Sequence, residues 1–154
     1  MQTQHADTDL WFTTAHLRVR QPRNLDTRAP SLLEHWMAHD FAPPQHVHHD
    51  EDETFYILEG RFRFETRGQV RELGAGEAIH MPRGIAHGFR VVSPEGGRCL
   101  TITHGGFEDM VRAASRPAPG PCLPEQAPPT PEQQASLAAT CEAHGISLVA
   151  PPIA

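Results

Sequence analysis

Two histidines, His46 and His48, lie two residues apart, and Glu53 follows five residues later. Alternate side chains of a β-strand project from the same face, so the two imidazoles would point to one place. Glu53 lies an odd number of residues further on and cannot share that face unless the chain bends between them. The segment His49-Asp50-Glu51-Asp52 predicts this bend, because aspartate bonds locally to its own backbone in turns. The spacing therefore constrains this segment to a strand, a turn and a second strand.

The second strand of this unit is predicted over Glu53–Glu59, which is rich in β-forming residues and stops at Gly60. A third histidine, His87, follows a proline and glycine turn signal at residues 82–84, and strand alternation places it on the same face as Phe89. An all-β barrel or sandwich can bring these side chains to one interior point. The predicted ligands are His46, His48, Glu53 and His87.

Three imidazoles and one carboxylate form a ligand set for one divalent transition metal. Nitrogen and oxygen ligands without thiolate suit Mn, Fe, Co, Ni, Cu or Zn, and the sequence does not choose among these metals. Four protein ligands leave one or two coordination positions open for substrate, water or dioxygen. Glu53 has two roles open to it there, as an ionised ligand and as the catalytic general base for a hydroxyl substrate.

Glycines and a proline extend this pattern at fixed offsets. It reads His46-x-His48-x4-Glu53-x6-Gly60, and then Gly76-x5-Pro82-x-Gly84-x2-His87. This resembles the two signature motifs of the cupin superfamily, in its small single-domain bacterial form. The resemblance implies an all-β fold, the cupin jelly-roll β-barrel or double-stranded β-helix, here with a short C-terminal helix in a proline-rich tail. One position departs from the pattern, because the second motif commonly closes with Asn where Val91 stands.

A narrower resemblance is to the quercetinase-like group of cupins, and it is carried by residues 43–60, residues 105–108 and the tail. In that group the corresponding glutamate binds the metal and removes a proton from a flavonol. Dioxygen then reacts with the bound flavonolate, which opens the ring and releases carbon monoxide. The resemblance implies a dioxygenase acting on a flavonol or a related enolisable aromatic, with Glu53 as the catalytic base. Two alternatives stay open. One is a non-oxidative isomerase, lyase or decarboxylase of a small hydroxy acid or sugar, and the other is a cupin that binds a small molecule without catalysis.

An aromatic ligand needs an apolar interior, and the predicted strands supply candidates for it. Each of these side chains can equally serve only to pack the core. The predicted pocket lining is Trp36, Phe55, Ile57, Phe64, Ile79, Met81, Phe89 and Phe107. By contrast, His49 has the opposite parity to the ligands, and the acidic residues 50–52 are interpreted as a solvated turn.

The chain divides into three predicted parts, a disordered lead over residues 1–9, the barrel over 10–115, and a tail over 116–154. Nine of the fifteen prolines follow Arg116, which marks the start of a proline-rich linker. Thr130 and Gln133 are spaced as a capping box around Pro131, and Gly145 is placed to end the helix that follows. A terminal strand is predicted after that glycine.

Several strand assignments within the barrel follow from apolar spacing. Residues 10–20 are predicted as one strand, and residues 31–40 suit either a helix or a strand, with the resemblance favouring a strand. Residues 53–59, 61–67 and 69–73 are predicted as a meander with turns at Gly60 and Gly68. Residues 88–92 are predicted to pair with residues 98–104.

Charge and composition exclude several classes of function. The 154 residues carry a net charge of −6 with histidine neutral and show no basic run, which argues against nucleic acid or an anionic membrane as partner. All thirteen basic residues are arginine, and the absence of lysine excludes chemistry through an internal Schiff base. Without a long apolar stretch or a signal-peptide pattern, we expect a soluble cytoplasmic protein that binds a small molecule.

One predicted strand is apolar on both of its faces. Tyr56 and Leu58 alternate with Phe55 and Ile57, so an outer as well as an inner face is apolar. In so small a barrel this indicates that the outer face meets another layer. We therefore predict a homodimer.

Overall fold

The computed structural model describes residues 8–154, which form twelve strands and two helices. The strands are β1 (Asp9–Phe12), β2 (Ala15–Gln21), β3 (Ser31–Met37), β4 (Gln45–His48), β5 (Glu53–Glu59), β6 (Arg61–Thr66), β7 (Gln69–Gly74), β8 (Ala78–Met81), β9 (His87–Val91), β10 (Gly97–Thr103), β11 (Arg116–Pro117) and β12 (Ile146–Ala150). The helices are α1 (Phe107–Ala114) and α2 (Pro131–Ala143), and neither is long and apolar enough to cross a membrane. Of the predicted disordered lead, residues 1–7 lie outside the described residues, and Asp9 opens β1.

The strands form two antiparallel sheets that enclose the core. The seven-stranded sheet has the order β11-β1-β2-β3-β10-β5-β8, and the five-stranded sheet has the order β12-β4-β9-β6-β7. Phe55 of the first sheet meets Phe64 and Phe89 of the second, with ring centroids 5.0 and 5.4 Å apart. In β3 every second residue from Ser31 to Met37 is buried, so the strand favoured over a helix for this segment is confirmed. The architecture is the predicted all-β jelly roll.

Two predicted strand pairings are wrong, because the chain changes sheets at two turns. β5 and β6 lie in different sheets, and so do β9 and β10, whereas β6 and β7 pair as predicted. The two turns pack against each other, since a Cβ at Gly60 would lie 2.4 Å from the carbonyl oxygen of Gly96. Both glycines have positive φ, +80° and +86°, which other residues rarely adopt. Glycine at these positions lets the two crossovers meet closely.

The segment predicted as one strand over residues 10–20 is instead a hairpin. β1 and β2 pair antiparallel, and the pair of Phe12 with Ala15 closes the turn. Thr13, in this turn, has a φ of +52° in the left-handed region, which suits a tight two-residue connection. The apolar points therefore belong to two short strands rather than one long strand.

The C-terminal tail returns to both sheets. Thr130 Oγ1 accepts a hydrogen bond from the Gln133 N–H, and Gln133 Oε1 accepts one from the Thr130 N–H, which is the predicted capping box at the start of α2. Gly145, with a φ of +76°, follows the end of the helix. Before this helix, β11 pairs with β1. After it, β12 pairs with β4, and Ile146 lies opposite His48. β12 thereby covers what would otherwise be an open strand edge.

Candidate metal centre

The four side chains that the spacing singles out are adjacent in the structure. Each offers one ligand atom, and these atoms all lie within 4.8 Å of one another. His46 and His48 occupy alternate positions of β4, Glu53 opens β5, and His87 opens β9. All four side chains are buried, with His46 the most exposed at 8%. The arrangement brings two strands of one sheet and one strand of the other to a single point.

Hydrogen bonds join the turns that carry the two motifs. Asp52, in the turn before β5, accepts from the backbone N–H and the Nε–H of Arg83 at 3.0 and 3.1 Å. The N–H of Gly84 donates to the carbonyl oxygen of His48 at 2.7 Å. These hydrogen bonds from Arg83 lower the pKa of Asp52 to about 2, so this carboxylate is ionised at neutral pH. The turn after β8 is thus fastened to the turn that delivers Glu53.

Each histidine of the cluster has an outer partner at Nδ1. For His46 and His87 this partner is the carbonyl oxygen of the residue two positions earlier, at 2.8 and 3.3 Å. For His48 it is Oε1 of Glu51, at 3.1 Å. An acceptor at Nδ1 favours the tautomer that carries its proton there, which leaves the lone pair of Nε2 for a metal.

One inner nitrogen lacks a hydrogen-bond partner. His48 Nε2 is buried and makes no hydrogen bond within residues 8–154. Oε2 of Glu53 lies 3.3 Å from this atom and 3.0 Å from Nε2 of His87. An orphaned polar atom is costly in an ordinary core, and a role as metal ligand accounts for it. The residues present therefore fit one divalent transition metal held by three nitrogens and one oxygen.

Burial and neighbouring charges set the protonation of the cluster. Burial lowers the pKa of His46 to about 4, so this imidazole is neutral at neutral pH. Burial opposes the charged form of Glu53, but His48 and His87 hold the pKa of its carboxyl well below the usual range. Burial likewise opposes protonation of His48, yet Glu53 and Glu51 raise the pKa of His48 to about 10. A metal must displace this proton, so metal binding is linked to proton release.

Seven of the eight residues predicted to line a pocket are buried in the core. They are Phe55, Ile57, Phe64, Ile79, Met81, Phe89 and Phe107. The ring of Phe107 lies 5.6 Å from that of His48, and the ring of Phe55 lies 6.5 Å from that of His87, between centroids. Phe62, which is not among these eight, is also fully buried, on the same strand face as Phe64.

Trp36 does not line the interior. It is half-buried on the outer face of β3, where its cross-strand neighbours are His16 and Arg98. Strand alternation gives the inner face to His35, which stacks on Phe107 with ring centroids 6.1 Å apart. Burial lowers the pKa of His35 to about 4. The interior therefore holds a neutral imidazole that is not part of the ligand cluster.

The acidic turn is not solvated throughout, which corrects the interpretation of residues 50–52. Glu51 is 2% exposed, and its carboxylate accepts from the N–H groups of Gly105 and Phe107 at 2.6 and 2.8 Å. These partners lie more than fifty residues away in the chain, so no local spacing could have revealed them. His49 is exposed as its parity predicts, with Nε2 2.9 Å from Ser147 Oγ.

Comparisons with known proteins agree with this geometry. The family model described as "Cupin domain" matches residues 32–103. The chain is 34% identical over 83 residues to quercetin 2,3-dioxygenase of Bacillus subtilis (strain 168), a match that covers 52% of this chain and 25% of that protein. It is 34% identical over 71 residues to quercetin 2,3-dioxygenase of Aspergillus japonicus, covering 42% of this chain and 20% of that protein. The chain thus matches at most about a quarter of the length of either enzyme.

Among solved structures, an RmlC-like cupin from Shewanella frigidimarina NCIMB 400 superposes with a TM-score of 0.55 at 19% identity, covering 66% of this chain and 88% of that one. At this identity the likeness speaks for the fold alone. The matched domain model, the two-sheet barrel and the clustered motif residues lead to one conclusion. Residues 32–103 match the cupin domain family, and the described part of the chain has the cupin fold.

Proposed function

We propose that this protein is a metal-dependent dioxygenase of the quercetinase-like group, which cleaves a flavonol or a related enolisable aromatic with O2. The observation that carries the proposal is the buried cluster of three histidines and Glu53 beside phenylalanine rings of the barrel interior. The local similarity to two proteins named quercetin 2,3-dioxygenase, 34% identical over 83 and 71 residues, supports it. An apolar, aromatic interior suits a planar ring as ligand.

The chain's own residues take distinct roles in this proposal. His46, His48, Glu53 and His87 would hold the metal. When bound, the metal supplies an electrophilic centre that makes a hydroxyl of the substrate more acidic. Glu53 is ionised, so its carboxylate is in the form that accepts a proton from that hydroxyl. The rings of Phe55 and Phe107 flank the ligands and exclude water from their surroundings.

Turnover of quercetin tests this proposal. We expect the protein, loaded separately with Mn, Fe, Co or Ni, to bleach the visible absorption band of quercetin under air and to release carbon monoxide. Glu53→Gln is expected to lower the rate by about 100-fold or more, since general base catalysis contributes on the order of 10²–10⁴. His49→Ala, which alters an exposed neighbour of the ligands, serves as the control. Absence of turnover with these four metals, and with Cu and Zn, would rule the activity out.

A non-oxidative reaction on an anionic substrate is the second candidate, and one observation favours it. Arg28 and His104 line a surface cavity, and His104 accepts a hydrogen bond from the N–H of Asp52 next to Glu53. Arg23 also lines this cavity but is paired with Asp109. The arginines nearest the second motif are not available to bind an anionic substrate. Arg83 is paired with Asp52, and Arg90 donates to the carbonyl oxygen of Ile153. Depletion of a small hydroxy acid or sugar without oxygen uptake would identify this alternative.

We further propose that the protein is a homodimer through the outer face of the seven-stranded sheet. Tyr56 and Ile102 are 40% and 37% exposed there, and they lie beside Leu100 and Leu32 on neighbouring strands. Burying this face against a second copy removes apolar surface from water. Light scattering at micromolar concentration is expected to give the mass of two chains, and a single species with the mass of one chain would contradict the proposal.

A further inference from the structure

One buried carboxylate, that of Glu51, contacts both a ligand of the cluster and the start of a helix. Its Oε1 lies 3.1 Å from Nδ1 of His48 and also accepts from the N–H of Phe107 at 2.8 Å. Its Oε2 accepts from the N–H of Gly105 at 2.6 Å. Phe107 is the first residue of α1, and its ring lies beside His48. Glu51 therefore links three parts of the molecule through one group.

The surroundings of Glu51 are shaped to hold it. A Cβ at Gly105 would lie 2.8 Å from Cβ of Glu51 and 3.0 Å from its Oε2. Real Cβ atoms essentially never approach so closely, so any larger residue at position 105 would displace the carboxylate. The absence of a side chain at Gly105 thus lets the backbone N–H reach Oε2.

We propose that Glu51 is the positioning residue of the metal centre, a role that rests on the proposed metal binding but not on any particular reaction. Its carboxylate holds the His48 ring with the Nδ1–H outward and Nε2 toward the other ligands. Hydrogen bonding to a carboxylate fixes the ring orientation and strengthens the imidazole as a ligand. Its bonds to Gly105 and Phe107 tie this orientation to the start of α1, so His48 and the ring of Phe107 are set as one unit.

Glu51→Gln tests the proposal with little change in side-chain size. Glutamine has one acceptor oxygen where glutamate has two, so at least one of the three bonds is lost or reversed. We expect affinity for Co²⁺, measured by competition with a chelator, to fall about 10–100-fold, the usual effect of losing such an outer partner. The visible absorption bands of bound Co²⁺ are expected to shift, because the orientation of His48 changes. Neither readout requires turnover, so both remain informative if flavonol cleavage is absent.

Glu108→Gln is the matched control. Glu108 is also a buried carboxylate at the start of α1, and it accepts from the N–H of Arg23 and from the side chain of Arg112 without contacting a ligand. We expect this variant to lose thermal stability while it keeps wild-type Co²⁺ affinity and absorption bands. Equal losses of affinity in both variants would overturn the proposal, because destabilisation of α1 would then account for them.

Gly105→Ala provides a second route to the same test, because it keeps the carboxylate but pushes against it. We expect a smaller loss of Co²⁺ affinity in the same direction, with shifted bands. Wild-type affinity and bands in both Glu51→Gln and Gly105→Ala would show that Glu51 only stabilises the fold. If Glu51→Gln does not fold, the result for Gly105→Ala decides alone.

Discussion

Replacing His48 with alanine is expected to remove the bound metal, from about one per chain to near zero after gel filtration. His48 is 2% exposed, and its Nε2 has no other hydrogen-bond partner in the described part of the chain. Its loss leaves three ligands and opens a cavity beside Glu53, so the fall in affinity should exceed the roughly 100-fold effect of losing an outer partner. Elemental analysis by inductively coupled plasma mass spectrometry measures the stoichiometry.

His49→Ala is the control for this experiment. It removes the same side chain one position further along, from an exposed site where the ring contacts Ser147. Metal content at the wild-type value is expected for this variant. Full metal stoichiometry in His48→Ala, or equal loss in both variants, would show that the ligand assignment is incorrect.

Ile146→Ala is expected to lower the free energy of unfolding by about 2–5 kcal/mol, the usual cost of truncating a buried isoleucine. Ile146 is 2% exposed, and it lies opposite His48 in the pairing of β12 with β4. Loss of this packing weakens the strand that covers the edge of β4, so metal affinity should fall as well. Urea unfolding gives the change in stability, and chelator competition gives the change in affinity.

Val149→Ala, on the same strand, is the control. It shows how much of the loss in stability comes from burial of the side chain and how much from the lower strand propensity of alanine. Val149 is 52% exposed, so its truncation should change the free energy of unfolding by no more than about 0.5 kcal/mol. If both variants lost similar amounts of stability, burial of Ile146 would not be the cause of the loss. Unchanged stability in Ile146→Ala would mean that the packing of this side chain does not stabilise the fold.

Local patterns predicted those parts of the structure that depend on short-range geometry. The alternation of His46 and His48, the bend before Glu53 and the capping box at Thr130 each involve residues within a few positions of one another. Strand parity and helix capping are determined by backbone geometry at that range, so they can be read before the fold is known. The same rule, applied to β3, would have placed His35 inside and Trp36 outside.

Strand pairing could not be predicted in the same way. Residues 53–59 and 61–67 looked like a hairpin because Gly60 separates two alternating segments, yet the chain crosses between sheets there. Whether a turn closes a hairpin or a crossover depends on what packs against it. Here this neighbour is Gly96, thirty-six residues away in the chain.

The sequence by itself determined which four side chains could form the metal centre and which strand faces they occupy, because alternation has a period of two residues and needs only local geometry. The tertiary structure decided that β12 covers β4. It also decided that the side chain of Glu51 is buried and bonds His48 and the start of α1, although its turn is otherwise exposed. Those contacts join residues far apart in the chain. Their selection depends on how the whole barrel buries its polar groups with partners, which no local pattern encodes.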